Sequence, residues 1–268
     1  MIKIALSGCC GRMGRAIAKL AAVSPDIRIV AGADLKPETY AGFPVYTSLT
    51  EFPERADVVV DFSNPAGCSA LLTYCLETKT PLVLATTGLS DAQIAEVNET
   101  AKSIAIFRSA NMSLGIALLQ DLARRAALVY GGNCDVEIVE AHHNQKLDAP
   151  SGTALMLYDT LKTALPYEST PVYDRHERRE KRPAHEIGIH AVRGGTIVGE
   201  HEVLFCGTDE TISLKHTALS RDAFAVGALR AASSNTPSGF IQSDIGMHPR
   251  DPAREQAGGW TTMVGLRE

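Results

Sequence analysis

The stretch IKIALSGCCGRMG, residues 2–14, decides how the N-terminal half of the chain folds. A short apolar run, residues 2–7, ends at a loop with three glycines, and residues 12–22 (RMGRAIAKLAA) are typical of a helix. Glycines in such a turn let backbone N–H groups approach a phosphate, and the helix N-terminus adds partial positive charge. We therefore predict a strand–loop–helix unit that binds an anionic ligand.

Strand and helix patterns alternate through the rest of this half. Strands are predicted at residues 27–34, 56–62, 81–88 and 103–110, and helices at residues 65–79 and 89–102. Ser90 is the predicted N-cap of the second of these helices. Alternating elements of this kind indicate a parallel sheet covered by helices. We predict an α/β protein whose N-terminal Rossmann-type dinucleotide-binding domain covers residues 1–112.

In the second half of the chain, the predicted strands follow one another and do not alternate with helices. Helices are predicted at residues 113–130, 151–164 and 221–233, strands at residues 134–143, 186–195, 196–207 and 210–218, and a loop at residues 166–184. This order predicts a C-terminal α+β domain, residues 113–221, with an open mixed β-sheet for substrate binding and oligomerisation. We expect the outer face of that sheet to pair with other subunits, since it would otherwise be exposed. The polar tail, residues 248–268, fits neither pattern, and we expect it to be loosely attached or disordered.

Composition excludes several classes of function. A net charge of −5 and a pI near 5.9 argue against a general nucleic-acid binder. No apolar run approaches the roughly 20 residues that a membrane helix needs, and the N-terminus lacks the apolar region of a signal peptide. The six cysteines form no CxxC pair, which argues against a structural zinc site. We expect a cytoplasmic protein with reduced thiols.

An acidic residue follows the glycine loop at the distance typical of dinucleotide-binding domains. Asp34 lies 20 residues after Gly14, where a carboxylate would accept hydrogen bonds from the adenosine ribose. Asp34 repels a ribose 2′-phosphate and so favours NADH, but Lys36 could pair with that phosphate, so we expect use of NADH and NADPH. The spacing GxxGxxG, by itself, is a weak pattern. Cys9 and Cys10 are expected at the loop tip, as small residues without redox chemistry.

Later turns at the carboxyl ends of predicted strands are candidates for the nicotinamide. Residues 85–88 (ATTG) and 109–112 (SANM) supply small side chains and backbone groups there. Residues 61–64 (DFSN) end another strand, and a cofactor contact and a plain loop are equally good interpretations of that turn.

The stretch EAHHNQKLDAPSGTA, residues 140–154, admits three interpretations. A metal site is disfavoured, because adjacent histidines on a strand point to opposite faces and no HExxH partner is present. A simple strand-to-helix turn explains the DAPS segment but not the cluster of two histidines and a lysine. An acid–base and anion site explains both, since His142 and Lys146 can supply a proton and the SGT helix start suits a carboxylate.

These motifs resemble the dihydrodipicolinate reductase family, also called the 4-hydroxy-tetrahydrodipicolinate reductase family. Residues 140–154 match its signature E-(A/L)-H-H-x-x-K-x-D-A-P-S-G-T-A throughout. The resemblance extends over about residues 1–246 and includes GxxGRMG in the glycine loop, TTG at 86–88, SANMS at 109–113 and EIGIHAVRGGTIVGEHEV at 186–203. Ala85 and Met112 depart from the usual glycine and phenylalanine, and we expect both to modulate nicotinamide packing.

The resemblance implies a role for each matching residue. His142 would be the acid–base residue and Lys146 the proton donor, with His143 on the substrate and with Gly152 and Thr153 on a substrate carboxylate. The residues implied to line the dinucleotide are Gly8, Cys9, Cys10, Gly11, Arg12, Met13, Asp34, Ala85, Thr86, Thr87, Ser109, Ala110, Asn111 and Met112.

The resemblance also implies the reaction and the assembly. The expected activity is NADH- or NADPH-dependent reduction of a small cyclic dicarboxylate, 4-hydroxy-tetrahydrodipicolinate, to tetrahydrodipicolinate in the diaminopimelate route to lysine. Hydride would reach ring carbon 4. The family is usually a homotetramer, and residues of about 222–247 would complete the N-terminal domain. Two alternatives stay open on the sequence: another two-domain NAD(P)-dependent reductase of an amino-acid precursor, and a dinucleotide sensor without turnover.

Overall fold

The computed structural model describes residues 1–233 and 241–243, except residues 39 and 177. The chain divides into two compact units. The first comprises Met1–Met112 with the described residues from Phe224 onward, and the second comprises Ser113–Ala223. No helix within the described ranges is long and apolar enough to cross a membrane.

The helices and strands follow in this order along the chain. They are β1 (Ile2–Ser7), α1 (Arg12–Ala22), β2 (Ile27–Ala33), β3 (Val45–Tyr46), β4 (Val58–Asp61), α2 (Cys68–Thr78), β5 (Leu82–Leu84), α3 (Asp91–Thr100), β6 (Ile106–Arg108), α4 (Leu114–Tyr130), β7 (Asp135–His142), α5 (Gly152–Ala164), β8 (Thr170–Val172), β9 (Glu186–Arg193), β10 (Gly199–Cys206), β11 (Thr211–Ala218), α6 (Asp222–Ser233) and β12 (Ile241–Ser243).

The first unit is built on a parallel sheet. Its described part has seven strands in the order β12-β6-β5-β4-β1-β2-β3. Alternate residues of β1 enter different cores, as the period of a strand requires. Ile4 and Leu6 pack with α1 and α6, whereas Ala5 packs with α2 and α3 on the other face. Helices therefore cover both faces, which confirms the predicted Rossmann-type α/β fold.

The second unit contains a mixed sheet with strand order β11-β10-β7-β9-β8. The central strand β7 pairs antiparallel with β10 and parallel with β9. Val136 and Ile138 on one face of β7 are buried in a core that includes Leu157 of α5. Glu137 and Val139 lie on the other face and are only partly buried. The predicted mixed sheet is confirmed.

Some boundaries differ from the sequence prediction for physical reasons. The predicted strand at residues 56–62 shortens to β4, and β3 was missed, since two residues carry no recognisable period. The predicted loop at residues 166–184 contains the edge strand β8, whose proline at position 171 concealed it, because proline is compatible only with an edge. Ser90 is confirmed as a helix N-cap, accepting a hydrogen bond from the Gln93 backbone at 3.3 Å. The tail, residues 248–268, lies outside the described residues.

Candidate active site

The glycine loop of the first unit is held closely between β1, β4 and α1. Gly8 has a φ of +73°, and a Cβ there would lie 2.6 Å from the carbonyl oxygen of Phe62. Gly14, in the first turn of α1, packs directly against the carbonyl oxygens of Gly8 and Cys9, so that a side chain would collide with backbone. These two positions require glycine, and they bring the helix N-terminus close to the strand end.

Backbone hydrogen bonds decide which loop N–H groups face outward. The N–H groups of Gly8 and Cys9 donate to the carbonyl oxygen of Ala33, and the Cys10 N–H donates to Asp34 Oδ2 at 2.9 Å. Helix α1 begins after Gly11, which offers no side-chain cap. The first-turn N–H groups of an α-helix have no partner within the helix, so the N-terminus of α1 is suited to an anion.

A cavity of about 540 Å³ opens beside this loop within the first unit. Gly8, Gly11 and Asp34 line it, together with Ser63 and Asn64 from the turn after β4. Its volume falls within the usual range for cofactor and ligand sites. The structure therefore places the glycine loop, the acidic residue and the DFSN turn around one cavity.

The ATTG turn is tied to the DFSN turn by a buried carboxylate. Asp61 is almost fully buried and accepts hydrogen bonds from the Thr86 hydroxyl at 2.5 Å and from the Ser63 backbone at 3.3 Å. Ala85 and Thr86 are buried, whereas Thr87 is exposed. Of the three predicted cofactor residues in this turn, Thr87 alone presents an exposed side chain.

A hydrogen bond from its serine side chain stabilises the SANM turn, residues 109–112. The Ser109 hydroxyl donates to the carbonyl oxygen of Asn111 at 2.8 Å, and Ala110 is exposed. Met112 is buried in the core and its carbonyl group contacts Gly227. The Met112 side chain thus fills the core of the unit. Cys9 also differs from its expected place at the loop tip, because its side chain is fully buried.

In the second unit, a buried glutamate organises the residues of the EAHH motif. Glu140 and His142 lie on the same face of β7, two residues apart, and Glu140 is fully buried. His142 Nδ1 lies 2.6 Å from Glu140 Oε2, and the imidazole packs against Gly199 of β10. The carboxylate fixes the Nδ1–H tautomer and leaves Nε2 for chemistry.

Arg193 completes this arrangement from the neighbouring strand. Its position at the end of β9 pairs in register with His142, and its guanidinium donates to both oxygens of Glu140 at 2.7 and 2.8 Å. The Ser151 N–H also donates to Glu140, at 3.0 Å. Burial alone would raise the pKa of Glu140, but the hydrogen bonds from His142, Arg193 and Ser151 outweigh it and lower that pKa to about 2. Glu140 is therefore an anion at all physiological pH values.

A second histidine lies behind the first. His201 is the register partner of Glu140 on β10, and its Nε2 lies 3.0 Å from the Ser151 hydroxyl. Its ring meets that of His142 edge to face, with 5.2 Å between centroids. Burial, with the nearby charge of His142, lowers the pKa of His201 to about 3. His201 is therefore neutral and supports Ser151, the N-cap of α5.

Lys146 and the start of α5 border the same end of β7. Lys146 Nζ forms an ion pair with Asp148 at 2.8 Å, and its backbone N–H donates to the His143 carbonyl oxygen at 3.1 Å. At the first turn of α5, Gly152 is exposed and Thr153 is buried. The structure thus assembles an imidazole, an ammonium group and a helix N-terminus, a combination suited to binding an anion and delivering a proton.

Three residues of this site were missed from the sequence. Glu140 was available locally, because residues two apart on a strand share a face. Arg193 and His201 could not be found in this way, because they come close to Glu140 only through the pairing of β9 and β10 with β7.

Two family models together match most of the chain. Residues 2–112 match the model of the N-terminus of dihydrodipicolinate reductase, and residues 115–244 match the model of its C-terminus. The chain belongs to the dihydrodipicolinate reductase family.

Other members of the dihydrodipicolinate reductase family are similar along most of their length. The 4-hydroxy-tetrahydrodipicolinate reductase of Caldanaerobacter subterraneus is 51% identical over 232 residues, covering 87% of this chain and 92% of that protein. The one from Clostridium tetani is 46% identical over 246 residues, covering 91% and 96%. A solved structure, the dipicolinate-bound dihydrodipicolinate reductase from Paenisporosarcina, is 26% identical with a TM-score of 0.76, covering 91% of this chain and 98% of that one.

Proposed function

We propose that the protein reduces 4-hydroxy-tetrahydrodipicolinate to tetrahydrodipicolinate with NADH or NADPH, in the diaminopimelate route to lysine. Family membership supports the reaction class, and relatives that are 46–51% identical carry that activity in their names. The observation that carries the proposal is the Glu140–His142 pair beside Lys146 and the N-terminus of α5. It is a proton-delivering site next to an anion-binding one.

The first unit fits a dinucleotide. Gly8 and Gly14 keep side chains out of the loop, and the N-terminus of α1 is suited to a pyrophosphate. Asp34, on the wall of the cavity, is assigned to the adenosine ribose. When bound, the dihydronicotinamide supplies the hydride that is added to ring carbon 4 of the substrate. Thr87 and Ala110 are exposed in the turns that we assign to the nicotinamide end.

The second unit fits a small dicarboxylate. We assign Gly152 and Thr153, at the start of α5, to one carboxylate, because a helix N-terminus favours an anion. His143 is assigned to the substrate as well. The Paenisporosarcina reductase supports this assignment, because its structure is of the enzyme bound to dipicolinate, a planar dicarboxylate of similar size.

The proton is assigned to the site formed by His142 and Lys146. Glu140 is ionised and accepts from Nδ1–H, so that it orients the imidazole of His142 and leaves Nε2 for proton delivery. Lys146 offers a second proton donor whose position is fixed by Asp148. In this mechanism the 4-hydroxyl group first leaves as water to give a conjugated imine. Hydride addition at carbon 4 of that imine gives an enamine, and the two residues share the proton supply that converts the enamine into product.

A cytoplasmic homotetramer belongs to the same proposal. Helices α4 and α5 pack with the Val136 face of the second sheet. On the opposite face, Val192 is half exposed and Leu204 is partly buried, which leaves apolar surface for another subunit.

A coupled assay with freshly generated substrate tests the proposed function. We expect oxidation of NADH and NADPH that depends on the dicarboxylate, measured by loss of nicotinamide absorbance. The control reaction contains the substrate of another amino-acid-precursor reductase in place of the dicarboxylate, and no oxidation of the cofactor is expected in it. Tight binding of both cofactors without oxidation in the presence of fresh substrate would contradict the proposal.

A further inference from the structure

No chemical step of the proposed reaction uses the thiol groups of two adjacent cysteines in the glycine loop. The Cys9 side chain is fully buried under the loop and Cys10 is partly exposed, and both are free thiols. Their Sγ atoms lie 3.8 Å apart. The Tyr40 hydroxyl donates to the Cys9 carbonyl oxygen at 2.6 Å, which fixes the backbone that presents the pair.

Asp34 brings a carboxylate to the same place. Its Oδ2 accepts the Cys10 N–H, and the ligand atoms of Cys9, Cys10 and Asp34 all lie within 4.8 Å of one another. Within the described part of the chain, no other group of three histidine, cysteine or acidic side chains is gathered as closely.

The separation of the sulfur atoms matches a tetrahedral metal site. With Zn–S bonds of about 2.3 Å, two thiolates on one tetrahedral zinc lie about 3.8 Å apart. A carboxylate oxygen is an accepted third ligand, and water would take the fourth position. Thiolate ligands select thiophilic ions over magnesium or calcium.

We propose that Cys9, Cys10 and Asp34 form a site for a thiophilic divalent cation, Zn²⁺ or Cd²⁺, whose binding excludes the dinucleotide from the glycine loop. The exclusion rests on the proposed function, since it assigns Asp34 to the ribose and this loop to the pyrophosphate. A carboxylate that ligates the metal is not available to the ribose hydroxyls.

Cadmium titration of the full chain tests the metal site by itself. In a phosphine reductant without chelating thiols, Cd²⁺ is expected to give a saturable thiolate-to-metal absorption that Cys10→Ser abolishes. Cys10 is chosen because it is partly exposed, and circular dichroism verifies that the variant folds. The matched control is the double variant Cys134→Ser/Cys206→Ser, which removes the two partly buried cysteines of the second unit and should retain the absorption. Undiminished absorption in Cys10→Ser would overturn the site.

Competition with NADPH tests the exclusion. At Cd²⁺ ten times above its dissociation constant, the apparent Kd of NADPH in nicotinamide fluorescence titrations should rise about tenfold in the wild type. In Cys10→Ser, the Kd of NADPH measured with Cd²⁺ should equal the Kd of the same variant measured without Cd²⁺. An unchanged NADPH affinity in a protein whose loop cysteines give the cadmium absorption would overturn the exclusion. Absence of NADPH binding without metal would count against the proposed function, and the cadmium absorption would still decide the metal site.

Discussion

Replacing His142 or Lys146 with alanine is expected to lower kcat by roughly 10²-fold or more, the usual scale for loss of a general acid. His142 is held by the ionised Glu140, and Lys146 is held by Asp148 at 2.8 Å. Each variant removes one proton donor while the first unit keeps its residues. The measurement is steady-state turnover at saturating cofactor, with substrate concentration varied to separate kcat from KM.

The second unit offers a matched control for the histidine. His190 lies on the opposite face of the sheet, and its Nε2 contacts Glu137 at 2.7 Å, much as His142 contacts Glu140. His190→Ala should leave kcat within about twofold, since His190 lies on the face of the sheet opposite to the proton-delivering site. Wild-type turnover in either His142→Ala or Lys146→Ala would contradict the assignment of that residue.

Glu140→Gln is expected to damage both stability and proton delivery. It leaves the guanidinium of Arg193 without its carboxylate, and breaking a buried ion pair costs about 3–5 kcal/mol in the free energy of unfolding. It also removes the anion beside His142. Turnover should then fall, because the imidazole loses the carboxylate that orients it. Denaturant unfolding and steady-state turnover measure the two effects.

The same carboxylate makes acid stability testable. The pKa of Glu140 in the folded protein, about 2, lies below its ordinary value of 4.5. The stabilisation is therefore fully present above about pH 4.5 and is lost as the pH falls through about 2. Wild type and Glu140→Gln should converge in stability only at that acidic end.

Glu137→Gln separates a structural effect from a positioning effect. Glu137 is on the same strand and binds Arg175, Arg182 and His190, but on the other face of the sheet. Its replacement should lower stability without lowering kcat. A kcat that falls equally in both glutamine variants, or in neither, would contradict the positioning role of Glu140.

Local patterns were sufficient for most of the fold. The glycine loop, the alternation of short apolar strands with helices and the Ser90 cap all depend on residues close in sequence, and the structure contains each of them. The edge strand β3 was missed because it is only two residues long, and β8 was missed because its proline is compatible only with an edge strand.

The site was predictable only where its residues are close in sequence. His142 and Lys146 stand in one motif with chemically informative spacing. Arg193 is 53 residues from Glu140 along the chain, and it arrives there only because β9 pairs parallel with β7 in a particular register. Met112 was predicted to lie at the nicotinamide, but its side chain is buried in the core with residues of α6. The sequence of the turn itself does not reveal this burial.

The central claim is that the cofactor reduces ring carbon 4 of the dicarboxylate in a reaction completed by the His142 and Lys146 site. The most direct measurement is the position of the label after turnover with NADPH deuterated at its transferable hydrogen. The account predicts one deuterium on ring carbon 4 of tetrahydrodipicolinate. Deuterium at another carbon, or product without label, would contradict it.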